Sequence, residues 1–230
     1  MAVPPTTASM PVSAAQAFEA FVSAPDFPCL GAKAALAHQH ITTIDAGDLD
    51  SAHHDEAIVA QLQQFASHAH ADALFVSLVV LFAPAPAISE QVFEQSLWSR
   101  LQALHAIDRR QFEWDPDVSC DPASAHFSMS LGGKAFFVVG LHPASSRSAR
   151  RFQQPALVFN LHRQFERLRA EGHYEKLRRA IIDRDIAFSG SLNPMLAVHG
   201  QSSEARQYSG RQVGADWVCP FHALSGGERS

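Results

Sequence analysis

The sequence predicts an α/β or α+β protein whose helices pack on a mixed sheet with a central antiparallel hairpin. Residues 74–82 (LFVSLVVLF) form a short run that is apolar on both faces, which is typical of a buried strand. Residues 125–131 alternate between apolar and polar positions, and Gly132 and Gly133 then supply a two-residue turn into a second run at 134–141. Segments with helical spacing separate these strands, so helices and strands interleave along the chain.

Four stretches show helix signals. Ser13 is suited to cap a short first helix, and Asp55 opens a second one whose apolar stripe follows the helical spacing. Ser89 begins a strong helix that runs to about residue 110. The last helical region is predicted from about 157 to 186, with a break near Gly172.

Composition limits the function classes. A chain of 230 residues can hold one large core, so we expect one globular domain at 13–223 between flexible tails at 1–12 and 224–230. The net charge of −5 argues against a nucleic-acid partner, and the longest apolar run is too short for a membrane span. Three widely spaced cysteines and no basic, apolar leader predict a cytoplasmic protein with free thiols. An exposed apolar face on the 89–110 helix would suit a homodimer.

Several common motifs are missing from the sequence. It contains no GxGxxG, GxxxxGK[ST], GxSxG or HExxH pattern. This argues against a dinucleotide enzyme, a P-loop NTPase, an α/β-hydrolase and a zinc protease. The candidate chemistry lies instead in residues 141–169 (LHPASSRSARRFQQPALVFNLHRQFERLR), which follow a predicted buried strand.

His142 is the first candidate in that segment. It ends the predicted strand on the same face as Phe136 and Val138, and Gly140 is expected to leave space beside it. This position suits an axial ligand to a metal or a haem iron. The alternative is a histidine that hydrogen-bonds to a loop at the end of a strand.

The loop that follows is rich in hydroxyls and arginines. Such groups bind carboxylates and phosphates well, including haem propionates or an acidic substrate. The alternative is a solvated basic loop. The residues concerned are Ser145, Ser146, Arg147, Arg150 and Arg151.

The next helical turns carry His162, Glu166 and Arg169 at i, i+4 and i+7, on one face. The pair of His162 and Glu166 could orient an imidazole for ligation or for proton transfer, or it could be a surface salt bridge. Among the cysteines, Cys29 comes just before a helix that would lower its pKa, and Cys219 lies in a Cys-Pro dipeptide that could ligate haem. For both, a buried and inert thiol is the alternative.

The chain resembles the YqcI/YcgG family in seven segments that occur in order and cover nearly everything after about residue 25. These segments are FPCLGAKAAL (27–36), LWSRLQALHAID (97–108), FSMSLGGKAFFVVGLHPASSRSARRF (127–152), LVFNLHRQFERLR (157–169), NPML (193–196), SEARQYSGR (203–211) and DWVCPFH (216–222).

Characterised members of that family are described as haem-dependent N-hydroxylases of arginine or arginine-derived guanidines, as in guanitoxin biosynthesis. The resemblance implies a monooxygenase with haem b that uses dioxygen and an electron donor to oxygenate a guanidine or amine. A non-catalytic haem carrier or sensor is one alternative. A cofactor-free domain that binds an acidic ligand is another.

The resemblance also suggests roles for individual residues. His142 is the first choice as iron ligand and Cys219 its rival, while His162 is the second histidine candidate or a group in the distal pocket. The residues expected to bind haem propionates or a substrate carboxylate are Ser146, Arg147, Arg150 and Arg151. Those expected to hold a substrate are Asn160, Glu204 and Tyr208, with Glu204 as the carboxylate that a guanidinium needs.

Overall fold

The computed structural model describes residues 12–68, 73–84, 86, 88–196 and 202–224. Most of both predicted tails therefore lies outside the described residues. The elements, in chain order, are α1 (Ala14–Ser23), α2 (Leu30–Ala37), β1 (Ile41–Asp45), α3 (Asp55–His68), β2 (Ser77–Leu81), α4 (Glu90–Asp108), β3 (Met129–Leu131), β4 (Lys134–Leu141), β5 (Ala156–Leu161), α5 (His162–Ala170), α6 (Tyr174–Ser189) and α7 (Ala205–Tyr208). Short 3₁₀ turns cover Ala52–His54 and Ser148–Arg150.

The predicted fold class is confirmed, because helices pack on an open mixed sheet. Within the described residues this sheet has five strands in the order β1-β2-β5-β4-β3. β1 pairs with β2 in parallel, and the other neighbours pair antiparallel. Side chains alternate between the two faces of each strand. One face of the sheet packs against α3, α4 and α7, and the other faces α1, Phe27 and Phe152.

The local signals explain the element boundaries. Ser13 caps α1 through a capping box with Gln16, and the Ser89 hydroxyl accepts a hydrogen bond from the Val92 amide at the start of α4. Gly132 and Gly133 both adopt positive φ angles, 61° and 68°, as the hairpin turn between β3 and β4 requires.

Two expectations about the sheet were wrong. The helix predicted from about residue 157 begins only at His162, because residues 156–161 form β5, the middle strand of the sheet. A short apolar run such as LVFNL cannot be assigned to helix or strand by periodicity alone. As a result, the β3–β4 hairpin lies on one side of the sheet rather than at its centre. The predicted break at Gly172 is confirmed, since its φ angle is 72° between α5 and α6.

The space expected beside Gly140 is filled. A Cβ atom added to this glycine would lie 2.7 Å from the side chains of both Leu97 and Phe93 on α4. The missing side chain at Gly140 therefore allows α4 to approach the sheet closely, and leaves no opening for a ligand.

Candidate functional site

A cavity of about 360 Å³ lies between the sheet and the helices α1, α2 and α6. It is bounded by the face of the sheet that carries Phe137, Val139 and Val158. Its volume falls within the range of small-molecule sites, ~300–1,000 Å³. Most of the wall is apolar, and a few polar and charged side chains interrupt it, which is the usual composition of a site that binds an organic ligand.

Cys29 supplies a thiol in the cavity wall. It is the N-cap residue of α2, and its Sγ accepts a hydrogen bond from the Ala32 amide at 3.4 Å. Burial raises the pKa of the thiol, while the amides of Ala32 and Gly31 and the charge of Arg150 act in the opposite direction. Burial is the largest of these effects, so the pKa of the Cys29 thiol is raised on balance and the neutral thiol is favoured.

Two arginines from the loop after β4 line the cavity. Arg150 donates hydrogen bonds to the carbonyls of Gly140, Gln207 and Tyr208, and burial lowers its pKa to about 10. Arg147 pairs with Asp185 of α6, which also lines the cavity. Protein acceptors thus hold both guanidinium groups in place in the cavity wall.

The polar part of the wall comes from β2, β5 and the start of α7. The Ser77 hydroxyl donates to the side-chain oxygen of Asn160 at 2.7 Å, and the amide of Asn160 donates to the Phe137 carbonyl at 3.4 Å. Glu204, the N-cap residue of α7, also lines the cavity. Asn160 and Glu204 are the predicted substrate residues that the fold brings to one cavity, although 44 positions separate them in the sequence.

A chain of hydrogen-bonding side chains extends outward from Glu204. The Ser128 hydroxyl donates to the Glu204 carboxylate at 3.2 Å and lies 2.9 Å from Nδ1 of His162. Nε2 of His162 lies 3.1 Å from the Glu166 carboxylate, which in turn pairs with Arg169. The predicted shared face of His162, Glu166 and Arg169 is therefore present. Its interaction with Ser128 and Glu204 could not be predicted from spacing.

His142 does not line this cavity. Its imidazole lies on the α4 side of the sheet and stacks on Phe93, with ring centres 4.2 Å apart. The side chain is 1% exposed, and neither ring nitrogen has a hydrogen-bond partner among the described residues. Burial lowers its pKa to about 4, so the ring is neutral at pH 7.

Cys219 and Tyr208 also belong to the apolar core on the α4 side. Burial raises the pKa of the Cys219 thiol to about 12, which keeps it protonated at neutral pH. The Tyr208 phenol donates to the Phe136 carbonyl at 3.0 Å and accepts from the Met129 amide at 3.2 Å, and burial raises its pKa. These bonds give Tyr208 a structural part in the core.

The remaining two predicted residues also point elsewhere. The amide and hydroxyl of Ser146 both donate to the Glu90 carboxylate, at 2.8 and 2.7 Å. Arg151 donates to the carbonyls of Ser145 and Ser146, at 3.0 and 3.4 Å. Both residues organise the loop after β4, and neither is part of the cavity wall.

Sequence reasoning did not select Cys29 and Asp185 as site residues, although both line the cavity. Cys29 in FPCLGAKAA was expected to have a lowered thiol pKa just before a helix, and this was wrong, because burial outweighs the amides at the start of α2 and raises the pKa. No signal distinguished Asp185 from the other charges of α6, because its role depends on the position of Arg147.

Two further features of the described residues bear on function. They contain no group of three or more His, Cys, Asp or Glu side chains arranged to hold a metal ion. A haem needs only one or two protein ligands, so this finding does not concern haem iron. No helix in the same part of the chain is long and apolar enough to cross a membrane.

The fold and the site define a mixed α/β protein with a ligand-sized, largely apolar cavity that carries a thiol and fixed arginines in its wall. The chain belongs to the YqcI/YcgG family, since the model of that family matches residues 18–222. Comparison with curated proteins and with solved structures gave no match.

Proposed function

We propose that this protein is a haem-dependent monooxygenase that binds haem b in the cavity and hydroxylates a nitrogen of a guanidine or amine. Membership of the YqcI/YcgG family, with the activity that resemblance to its characterised members implies, supports the reaction type. The observation that carries the proposal is the cavity itself. Its apolar walls suit a porphyrin, and Cys29 offers a soft ligand within those walls.

The candidate ligands differ in how well they fit. His142 and Cys219 both lie on the side of the sheet away from the cavity, and Phe93 covers one face of the His142 ring. Cys29 lies in the cavity wall. Its sulfur accepts a hydrogen bond from a backbone amide and interacts electrostatically with Arg150. Hydrogen bonds to a ligating sulfur tune the potential of the metal it binds. We therefore assign the ligand role to Cys29 in place of His142 and Cys219.

The arginines of the cavity are suited to bind the two propionate groups of haem. Arg147 and Arg150 project from the same loop, and each is already fixed by protein acceptors. A fixed guanidinium loses little conformational freedom when it binds a carboxylate. Ser146 and Arg151, which bind Glu90 and loop carbonyls, would support this loop from outside the cavity.

The substrate would bind at the polar part of the wall. A cationic guanidinium or ammonium group requires a carboxylate partner, and both Glu204 and Asn160 line the cavity. The bound haem would supply the activation of dioxygen. The contribution of the chain is to bind and orient the substrate nitrogen, to exclude water with the apolar walls, and to hold protons near the site.

Absorption spectroscopy of protein produced with a haem precursor tests the proposal. We expect a stoichiometric Soret band, and a carbon monoxide complex of the reduced protein with the long-wavelength band typical of thiolate ligation. Cys29→Ala should abolish that band. His142→Ala and Cys120→Ala, the latter at an exposed thiol, should retain it. Protein that takes up no haem would refute the proposal, and loss of haem in His142→Ala alone would return the ligand role to His142.

A haem carrier or sensor would give the same spectra without turnover. The carboxylate at Glu204 favours the enzyme, because a site that holds only haem has no need of a partner for a cation. Reductant consumption that depends on an added guanidine or amine, with an N-hydroxylated product by mass spectrometry, would support the enzyme. Haem-loaded protein that oxidises no member of an amine and guanidine panel would support the carrier.

A further inference from the structure

We propose that Glu166, His162, Ser128 and Glu204 form a proton relay that connects solvent to the cavity. The inference rests on the proposed function in one respect, because it assigns the delivered protons to dioxygen reduction in that cavity. The connection itself rests on the geometry of the four side chains alone. They come from β5–α5, from the segment before β3 and from the start of α7.

The exposure of these side chains decreases from the surface inward. Glu166 has 51% of its side chain exposed, His162 has 14%, and Ser128 is fully buried. Glu204 has 15% of its side chain exposed, and it lines the cavity. Each step between neighbours is a hydrogen-bond distance: 3.1 Å from Glu166 to His162, 2.9 Å from His162 to Ser128, and 3.2 Å from Ser128 to Glu204. The imidazole and the second carboxylate also approach each other directly, with 3.9 Å between Nδ1 and Oε2, and the buried Ser128 hydroxyl bridges them at hydrogen-bond distances.

The hydrogen-bond directions allow a proton to pass. With His162 protonated, Nε2 donates to Glu166 and Nδ1 donates to the Ser128 oxygen, while the Ser128 hydroxyl donates to Glu204. The Nδ1 proton then moves to Ser128 as the original hydroxyl proton of Ser128 moves to Glu204. Ser128 is unchanged, His162 becomes neutral, and Glu204 carries the proton at the cavity until it releases the proton there and is again the carboxylate that pairs with the substrate cation. Rotation of the neutral ring and uptake of a proton from water beside Glu166 restore the first state.

Charged groups around the relay support this direction. Arg169 pairs with Glu166 and so holds the outer carboxylate in place. The Tyr208 phenol lies close to Ser128 and Glu204, and its raised pKa keeps it protonated and prevents it from competing as an acid. His162 thus lies between two carboxylates, one that faces solvent and one that faces the cavity.

The proposed reaction consumes protons in a fixed ratio. One dioxygen, one R–NH₂ group, two electrons and two protons give one R–NHOH group and one water molecule. The electrons come from an external one-electron donor such as a reduced flavoprotein or iron–sulfur protein. The largely apolar walls carry few groups that can donate a proton, so a built path through Glu204 would supply both protons.

Haem-loaded variants test the delivery. His162→Gln keeps a polar side chain that cannot shuttle a proton, and we expect it to retain haem and substrate binding but to lose about 100-fold in N-hydroxylation rate. Product formed per electron consumed should fall as well, with hydrogen peroxide released. Glu166→Gln should lose about tenfold, because water can partly replace an exposed carboxylate. Its matched control is Glu171→Gln, which removes another i,i+4 carboxylate of the same helix and should change nothing.

A second measurement needs neither haem nor turnover. In the ¹⁵N NMR spectrum of the haem-free protein, Glu204→Gln should move the Nδ1 signal of His162, both through the Ser128 hydroxyl and through the direct approach of 3.9 Å between Nδ1 and the carboxylate. The same substitution should move this signal less in a Ser128→Ala background, because only the direct approach remains there. Equal shifts in both backgrounds would overturn the relay. A haem-loaded His162→Gln variant that keeps the wild-type rate and the wild-type yield of product per electron would also overturn the relay. Wild-type protein that binds no haem would refute only the proposed function.

Discussion

The buried imidazole of His142 leads to a specific prediction about stability and pH. Its ring is 1% exposed and has no hydrogen-bond partner among the described residues, and burial lowers its pKa from 6.5 to about 4. The unfolded chain therefore binds a proton on this ring below pH 6.5, and the folded chain does so only near pH 4. Between these values the unfolded state holds more protons, so the free energy of unfolding decreases as the pH falls.

The two pKa values set the size of the effect. Between pH 7 and pH 5 the titration of His142 should cost about 2 kcal/mol of folding stability. A His142→Leu variant lacks this term. At pH 7 it should unfold with a free energy within about 1 kcal/mol of wild type, since relief of unsatisfied polar atoms offsets the lost stacking on Phe93.

Urea unfolding at pH 7 and pH 5, followed by tryptophan fluorescence, measures the free energy of unfolding at pH 7 and its loss between pH 7 and pH 5. His126→Leu is the control, because it removes an exposed histidine instead of a buried one. The stability lost between pH 7 and pH 5 should be about 2 kcal/mol smaller in His142→Leu than in wild type or His126→Leu. If all three proteins lose the same stability, His142 is protonated or solvated in the native state and the reasoning is refuted.

Two other substitutions test the packing that positions the site. Gly140→Ala should destabilise the fold by about 1–3 kcal/mol, because the new methyl group would overlap with the side chains of Phe93 and a neighbouring leucine on α4. Unchanged stability would show that α4 can move away from the sheet. Asp55→Asn should cost about 3–5 kcal/mol in thermal or urea unfolding, since it leaves the buried Arg100 without its charged partner. Glu56→Gln, in an exposed pair, should cost at most about 1 kcal/mol, and an equal cost for both would contradict the role of burial.

Elements with strong local signals could be predicted closely. The cap at Ser89, the turn at Gly132 and Gly133, and the break at Gly172 depend on residues whose conformational preferences act within a few positions of the chain. β5 had no such signal. Its six residues are apolar enough for a strand or for a helical turn, and only its pairing with β2 and β4 decides between them.

The candidate site shows the same division. The sequence alone identified the family, the segments rich in chemistry, and the shared helix face of His162 and Glu166, because these are properties of residue identity and short spacing. Only the tertiary structure decided which side of the sheet each residue occupies. A shift of one position in a strand reverses the face, and so Leu141 lines the cavity while His142 packs against Phe93 on α4.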